Sequence, residues 1–232
     1  MIRVFIGFDS SEEIAYHVLT GSILRRISNP VQFIPVSLNS LHGIFNRKRD
    51  SLQSTEFSFS RFLVPYLCEY QGWSIFMDCD MLVLDDLTKL WGLRDDRYAV
   101  MCVQHDHVPK NSKKFCDQIQ TSYERKNWSS VMLMNNAKCR ALTPEYVESA
   151  SGLDLHRFRW LEDDDIGALP SRWNHLVDYD PELPLNAISN LHFTEGGPYF
   201  SDYTDCGYAE VWKDEFDQAI RPLCPTVANP KL

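Results

Sequence analysis

Ile75-Phe76-Met77-Asp78-Cys79-Asp80-Met81-Leu82-Val83-Leu84 sets two carboxylates in the middle of an otherwise apolar run. A charge left uncompensated in such a run is strongly unfavourable, so the pattern predicts a positive group beside the pair. Side chains at i and i+2 of an extended chain share a face, which lets Asp78 and Asp80 point at one ion. Hard oxygen ligands without a dense protein cage suit Mg2+ or Mn2+ held jointly with phosphates. A strand end whose acids merely reach water is the bland alternative, and the apolar flanks argue against it. A calcium loop of the EF-hand type is excluded by Val83 where glycine is needed and Lys89 where glutamate is needed. An aspartyl-nucleophile phosphatase of the D-x-D-x-T/V type stays open, although Leu82 stands in the Thr/Val place and that chemistry prefers the first strand of its fold.

The segments before this run read as a βαβ unit. Arg3 to Phe8 clusters apolar residues like a short buried strand, and Asp9-Ser10-Ser11-Glu12-Glu13 follows as a helix start with Ser10 and Glu13 in capping-box spacing. Ile14, Val18, Leu19, Ile23 and Ile27 recur at helical spacing, Asn29-Pro30 breaks the run, and Val31 to Leu38 reads as a second strand. The first loop therefore lies at the carboxyl end of a strand, where open α/β sheets bind their ligands. Residues 39–54, with Arg47-Lys48-Arg49, read as a mobile polar loop. Thr55 to Tyr70 follows a helical pattern kinked at Pro65, and Trp73 to Met77 is the next strand.

Beyond the acidic pair, Asp85-Asp86-Leu87-Thr88 predicts a turn into a short helix, and Ala99 to Gln104 a strand. A polar helix over 110–126, a strand at Val131 to Met134, and a helix from Pro144 to Ala150 follow. Strands are expected at Arg172 to Val177 and Asn190 to Phe193. A closing helix spans Tyr208 to Ile220, with Ala209, Trp212, Phe216 and Ile220 on one face. With no repeat and no Gly/Ser linker, residues 1–232 read as one α/β domain: 1–104 a nucleotide-binding half, 105–232 an acceptor-binding and C-terminal half.

Composition narrows the partners. The 232 residues are 44% hydrophobic and 24% charged, the balance of a globular chain, and the net charge of -9 repels polyanions. Nucleic acid is accordingly excluded as a partner, and an electrostatic anchor to anionic lipid is not expected. Seven cysteines without a C-x-x-C pair argue against a disulfide framework or structural zinc. No stretch reaches the ~20 apolar residues that cross a bilayer. The expected location is the cytoplasm.

Several stretches, taken in order, resemble the retaining GT-A glycosyltransferases of family 8, which include glycogenin and lipopolysaccharide galactosyltransferases. The first are the strand and Asp9-led helix, Phe59-Ser60-Arg61-Phe62, and Phe76-Met77-Asp78-Cys79-Asp80. Ser129-Ser130-Val131-Met132-Leu133-Met134-Asn135 is similar to the family's N-A/S-G-V strand. Asp163-Asp164-Asp165-Ile166 falls where the family has D-Q-D-I, Leu169-Pro170-Ser171-Arg172-Trp173-Asn174 resembles L-P-x-x-W-N, and His192-Phe193 opens an H-F/Y-x-G segment. Each piece is short; their order over residues 3–200 is the specific part.

The resemblance implies an α/β GT-A fold, a single Rossmann-like mixed sheet flanked by helices. It implies a metal-dependent hexosyl transfer, with retention, from a nucleotide-sugar, UDP-linked by analogy, to a glycan or other hydroxyl acceptor. Asp78, Asp80 and His192 would hold Mn2+ or Mg2+, with Cys79 and the Gly196-Gly197 turn against the donor. Taken alone, His192 is more often an ordinary satisfied or half-exposed histidine. Phe8, Asp9 and Tyr16 would meet the base and ribose, with plain packing as the alternative for Tyr16. Arg61 would approach the sugar and diphosphate, Asp163 would hold sugar hydroxyls, and Asp164 is the one acid whose motif position suits a nucleophile or cation stabiliser. Without the family, Glu162 to Asp165 reads as well as a solvated loop.

Departures are equally specific. The family's lysine after the histidine is absent from Gly196-Gly197-Pro198-Tyr199-Phe200, which leaves Lys213 or the 47–49 loop to replace it. The sugar-binding asparagine falls at Trp128, with Asn127 one residue out of step, and Asp164 replaces a glutamine. Two readings compete with the transferase: the aspartyl phosphatase or phosphotransferase, and a nucleotide-sugar-binding protein without turnover. Lipid-linked glycan assembly, a common setting for such enzymes, leaves room for a peripheral approach to a membrane. The sequence leaves the oligomeric state open.

Overall fold

Ile2–Gly7 is apolar and buried nearly throughout, as a strand covered on both faces must be. The computed structural model, which describes residues 1–49, 53–106, 113–114, 118–119 and 124–220, makes this strand β1 of a six-stranded mixed sheet. Helix α1 (Glu13–Arg26) packs Ala15, Val18, Leu19 and Ile23 inward, and β2 (Val31–Val36) returns parallel to β1, with Phe5 opposite Ile34. The expected βαβ unit is therefore present. Its cap differs: Asp9, not Ser10, opens a 3-10 turn over Ser10–Glu12 by accepting from the Ser11 N–H. Ser10 gives its hydroxyl to Glu56 at 2.8 Å, so the Ser10/Glu13 capping box does not form. The short aspartate reaches its own backbone two residues on and starts the turn early.

On the other side of β1 lie β3 (Trp73–Met77, parallel), β8 (Val131–Asn135, antiparallel), β5 (Val100–Cys102) and β9 (Ile166–Ala168). The chain leaves this sheet after Met77, bends through Asp78, Cys79 and Asp80, and enters β4 (Met81–Val83) of a second sheet. There β4 pairs antiparallel with β11 (Asn190–His192), itself beside β10 (His175–Leu176). The register sets His192 opposite Met81, and the Phe193 N–H donates to the Asp80 carbonyl at 2.9 Å. Asp78 and Asp80 thus stand on the bend between two sheets rather than along one extended strand.

Elsewhere the expected elements are trimmed. Thr55 to Tyr70 is not one kinked helix: a 3-10 turn over Ser60–Leu63 precedes the four-residue α2 (Val64–Leu67), with Pro65 in its first turn, where a missing N–H costs nothing. The 39–54 segment is anchored where it is described. Leu41 and Phe45 are buried, and the Arg47 guanidinium lies 3.8 Å over Phe59 and bonds the Val147 and Ala150 carbonyls. Residues 50–52 lie outside the described residues.

Asp86 caps α3 (Leu87–Trp91) as expected. Within the expected 110–126 helix, β6 (Lys113–Lys114) instead pairs with β7 (Gln118–Ile119), and the other positions up to 123 lie outside the described residues. Arg172 to Val177 begins as a 3-10 turn over Ser171–Trp173, leaving only β10 as strand. Pro144–Ser149 forms α4 and Gly152–His156 forms α5. Among the described residues, no helix is long and apolar enough to cross a membrane.

Helix α6 (Ala209–Ile220) buries Ala209, Trp212 and Glu215, while Ile220 is 60% exposed and off the expected face. Glu215 sets that face. Its carboxylate is shared by Arg25 and Arg26 of α1, with Arg25 Nε at 2.8 Å. Burial raises its pKa, but the two guanidiniums outweigh this and hold it below the ordinary value. Replacing Glu215 with alanine strands two half-buried cations, and should lower unfolding stability by about 2 kcal/mol, or ~4–8 °C in melting temperature. Denaturant titration and a thermal melt check this; an unchanged melt would contradict it.

Candidate active site

Asp78 is buried, and its backbone N–H donates to the Ser130 carbonyl at 2.9 Å, which fixes the first residue of the bend to β8's entry. Its carboxylate Oδ1 lies 2.7 Å from Nη1 of Arg61, the positive partner that the apolar setting demanded. Arg61 is itself buried, donates to the Ser129 carbonyl at 3.0 Å, and sits 5.1 Å from the ring centres of both Phe57 and Phe76. Asp80, also buried, faces His192, with 3.4 Å from Oδ1 to Nε2. The other ring nitrogen, Nδ1, lies 2.9 Å from Asn174 Oδ1.

One ligand atom each from Asp78, Asp80 and His192 falls within a 4.8 Å spread. An ion with ligands at ~2.1 Å sets opposed ligands about 4 Å apart, so small side-chain rotations close this set onto a divalent cation. Two carboxylates and one imidazole are a donor set that Mn2+ and Mg2+ accept. The fit rests on residues 78, 80 and 192 converging from two sheets, which the sequence expected without specifying the bend.

The other expected residues divide. Phe8 is half-buried and meets the edge of Tyr16 at 5.6 Å; burial raises the Tyr16 hydroxyl pKa. Asp9 is committed to the chain. Its Oδ1 accepts from the Ser11 N–H and hydroxyl at 2.9 and 2.6 Å, and its Oδ2 from the Glu56 N–H at 2.9 Å. The Cys79 side chain points into the core, where burial first, then Glu12, Asp80, Asp78 and Asp9, push its thiol far above its ordinary pKa. Only its backbone is left to face a ligand.

The Gly196-Gly197 turn is shaped by the chain's own tyrosines. A Cβ at Gly196, where φ is +143°, would come 2.8 Å from the Tyr203 ring, and one at Gly197 would come 2.3 Å from the Tyr199 ring. Asp163 and Asp164 lie on an exposed 3-10 turn before β9. Asp163 pairs with Arg125, whose guanidinium is 5.3 Å from the Trp128 ring centre. Trp128 donates its indole N–H to the His105 carbonyl at 2.9 Å, and begins the same turn whose Ser129 and Ser130 hold Arg61 and Asp78. Of the expected substitutes for the lysine, Lys213 pairs with Glu210 on α6, and Arg47 of the 47–49 loop is held against Phe59.

Sequence alone does not single out Glu12, Tyr199 or Asn174. Glu12 is fully buried, with Oε2 accepting the Tyr199 hydroxyl at 2.8 Å. Burial, then Glu12 and Asp80, hold the Tyr199 pKa well above its ordinary value, so it stays a neutral donor. Counted from Gly196, Tyr199 occupies the lysine position of the family's G-x-x-K pattern. Asn174 stands out in the sequence only as the last residue of the L-P-x-x-W-N resemblance. No periodicity flags either contact, since Glu12 meets Tyr199 and Asn174 meets His192 only through the fold.

A model of the family described as glycosyl transferase family 8 matches residues 15–142, more than half of the chain. Protein CDI of Arabidopsis thaliana is 46% identical over 226 residues, covering 93% of this chain and 86% of that protein. The chain belongs to glycosyl transferase family 8. It is therefore a glycosyltransferase, and its α/β architecture, a mixed sheet flanked by helices, is the GT-A fold. The galactosyltransferase LgtC, solved in complex with donor and acceptor sugar analogs, superposes with a TM-score of 0.62 at 17% identity, over 97% of this chain and 98% of that one. The bifunctional glycosyltransferase WbbM matches 93% of this chain with a TM-score of 0.65 at 15% identity. This family 8 chain spans about half of WbbM's length (49%).

The site's electrostatics give a pH prediction. His156 accepts or donates at Nδ1 with the Ser129 hydroxyl, 2.8 Å away. Burial, then Arg61, Lys126 and Arg47, hold its pKa well below the ordinary value. The unfolded chain therefore takes up the proton first as pH falls below ~6.5, and its share of stability is full above that pH and lost on acidification toward the depressed folded value. Wild-type unfolding free energy should fall by up to about 1 kcal/mol per pH unit more steeply between pH 6.5 and 5 than that of His156→Gln. Denaturant titrations at several pH values measure the difference, and parallel profiles would refute it.

Proposed function

We propose that this family 8 enzyme transfers a hexosyl group from a UDP-linked sugar to a glycan or other hydroxyl acceptor with retention of configuration, using Mn2+ or Mg2+ held by Asp78, Asp80 and His192. The observation that carries the reading is the convergence of those three ligand atoms on one point from two sheets. When bound, the cation neutralises charge growing on the leaving diphosphate. Arg61 adds a fixed positive charge beside Asp78 and orients that carboxylate. Phe8 and Tyr16 offer aromatic surface to the base, and Asp9 holds their loop in shape for it. The backbone of Cys79 and of the Gly196-Gly197 turn faces the donor, which residues 1–104 chiefly bind. Residues 105–232 receive the acceptor.

Asp163, positioned by Arg125, accepts hydrogen bonds from sugar hydroxyls. Trp128 replaces an amide with an aromatic ring whose N–H is already used, so that side of the sugar is met by stacking. Asp164 stabilises positive charge developing on the sugar. The acceptor hydroxyl attacks on the face the diphosphate leaves, and its proton passes to a β-phosphate oxygen, while the protein positions both groups. Asp78, tied to buried Arg61, is poorly free to act as a phosphatase nucleophile.

A donor-hydrolysis screen over nucleotide-sugars, with and without manganese, tests the reading. Asp80→Asn keeps the shape of the site and should cut metal-dependent hydrolysis on the order of a hundredfold or more, with little change in melting temperature. Asp78→Ala should cut it too, but with lower stability, because Arg61 is left buried and unpaired. Wild-type turnover in Asp80→Asn would sink the metal assignment. Tight binding of UDP and manganese by the wild-type chain without hydrolysis of any donor would favour a binding protein.

A further inference from the structure

We infer that Asn174, seated on Ser130, is a positioning residue that sets His192 as a metal ligand; this rests on the reading of residues 78, 80 and 192 as the cation site. Asn174 is fully buried, and both ends of its amide are engaged. Oδ1 lies 2.9 Å from His192 Nδ1, and Nδ2 donates to the Ser130 hydroxyl oxygen at 2.8 Å. Ser130 in turn donates its hydroxyl to the Asn127 carbonyl at 2.6 Å. With its hydroxyl proton spent there, Ser130 can only accept from Asn174. That fixes the amide's orientation with its oxygen toward the histidine. The histidine must then carry its proton on Nδ1, and Nε2 presents its lone pair to the Asp80 side of the site.

The same serine reaches the other ligand. Its backbone carbonyl accepts the Asp78 N–H at 2.9 Å. One residue therefore holds the first acid of the bend through its backbone and the imidazole through its side chain and Asn174. Asp78 leaves β3 of the six-stranded sheet and His192 ends β11 of the three-stranded one, so this chain of bonds ties the two sheets at the ligands. An imidazole whose second nitrogen is held by an oxygen acceptor is both oriented and made a better ligand, and loss of such a partner typically weakens metal affinity 10–100-fold.

The test is calorimetric titration of the full chain with MnCl2 alone, which needs neither donor nor acceptor. Asn174→Leu, similar in size but without an acceptor, should weaken manganese binding about 10–100-fold. Asn174→Asp keeps an oxygen toward Nδ1 and should stay within about threefold of wild type, an asymmetry that a purely structural role for the amide would not produce. Ser130→Ala, a small change that removes the nearer of two acceptors for Nδ2, leaves the Asn127 carbonyl at 3.4 Å and keeps the backbone carbonyl of residue 130, should fall between them, and serves if Asn174→Leu does not fold. Equal affinity for wild type and Asn174→Leu, or for wild type and Ser130→Ala when the leucine variant is unfolded, overturns the positioning role alone. A wild-type chain that takes up no manganese overturns the metal reading itself.

Discussion

A carboxylate as enclosed as Asp78 is tolerable only because Arg61 lies 2.7 Å from it, and Arg61 is tolerable there only because Asp78 and the Ser129 carbonyl receive its protons. Burying either alone is strongly unfavourable, so the pair forms as a unit or not at all. This mutual dependence links the 3-10 turn at Ser60–Leu63, the end of β3 and the entry to β8. The aromatic rings of Phe57 and Phe76, themselves neighbours at 6.4 Å, pack beside the guanidinium. The acid bend is thus part of the core's edge, not a loop added to it.

From that anchor the chain has one way forward. Asp80 follows two residues later, β4 starts the second sheet, and the antiparallel pairing with β11 brings His192 back across from Met81. The side chains that meet at the site are therefore placed by backbone pairing first and refined by side-chain bonds second. Family membership explains why these motifs recur in order along the chain; the pairing explains why the order brings them together.

Much of this was legible in the sequence, for physical reasons. The first βαβ unit is dense in apolar residues at the right periods, and β3 matches the expected Trp73–Met77 span. Asp78 and Asp80 declared themselves by standing where charge is expensive. What escaped reading was set by competition between short-range bonds or by distant partners. Asp9 reached its own backbone before Ser10 did, and this moved the helix start. Arg47 found the nearby Phe59 ring and two carbonyls about a hundred residues away, which anchors the described start of an apparently mobile loop. Ile220 fits an apolar stripe by spacing, but a buried glutamate between two arginines decided which face of α6 turns inward. Glu12 and Tyr199 carry no local signal at all, because each is an ordinary residue until the fold joins them.

The acid bend closes against β11, a strand from late in the chain, and this has a kinetic corollary. Contacts between such distant segments carry the largest loop-closure cost and form after local ones. A nascent or partly folded chain can build the first βαβ unit and even the Asp78–Arg61 pair, yet it lacks the imidazole. Any affinity for an ion at this point would belong only to finished molecules, and an ion bound there would favour completion over every intermediate on the way.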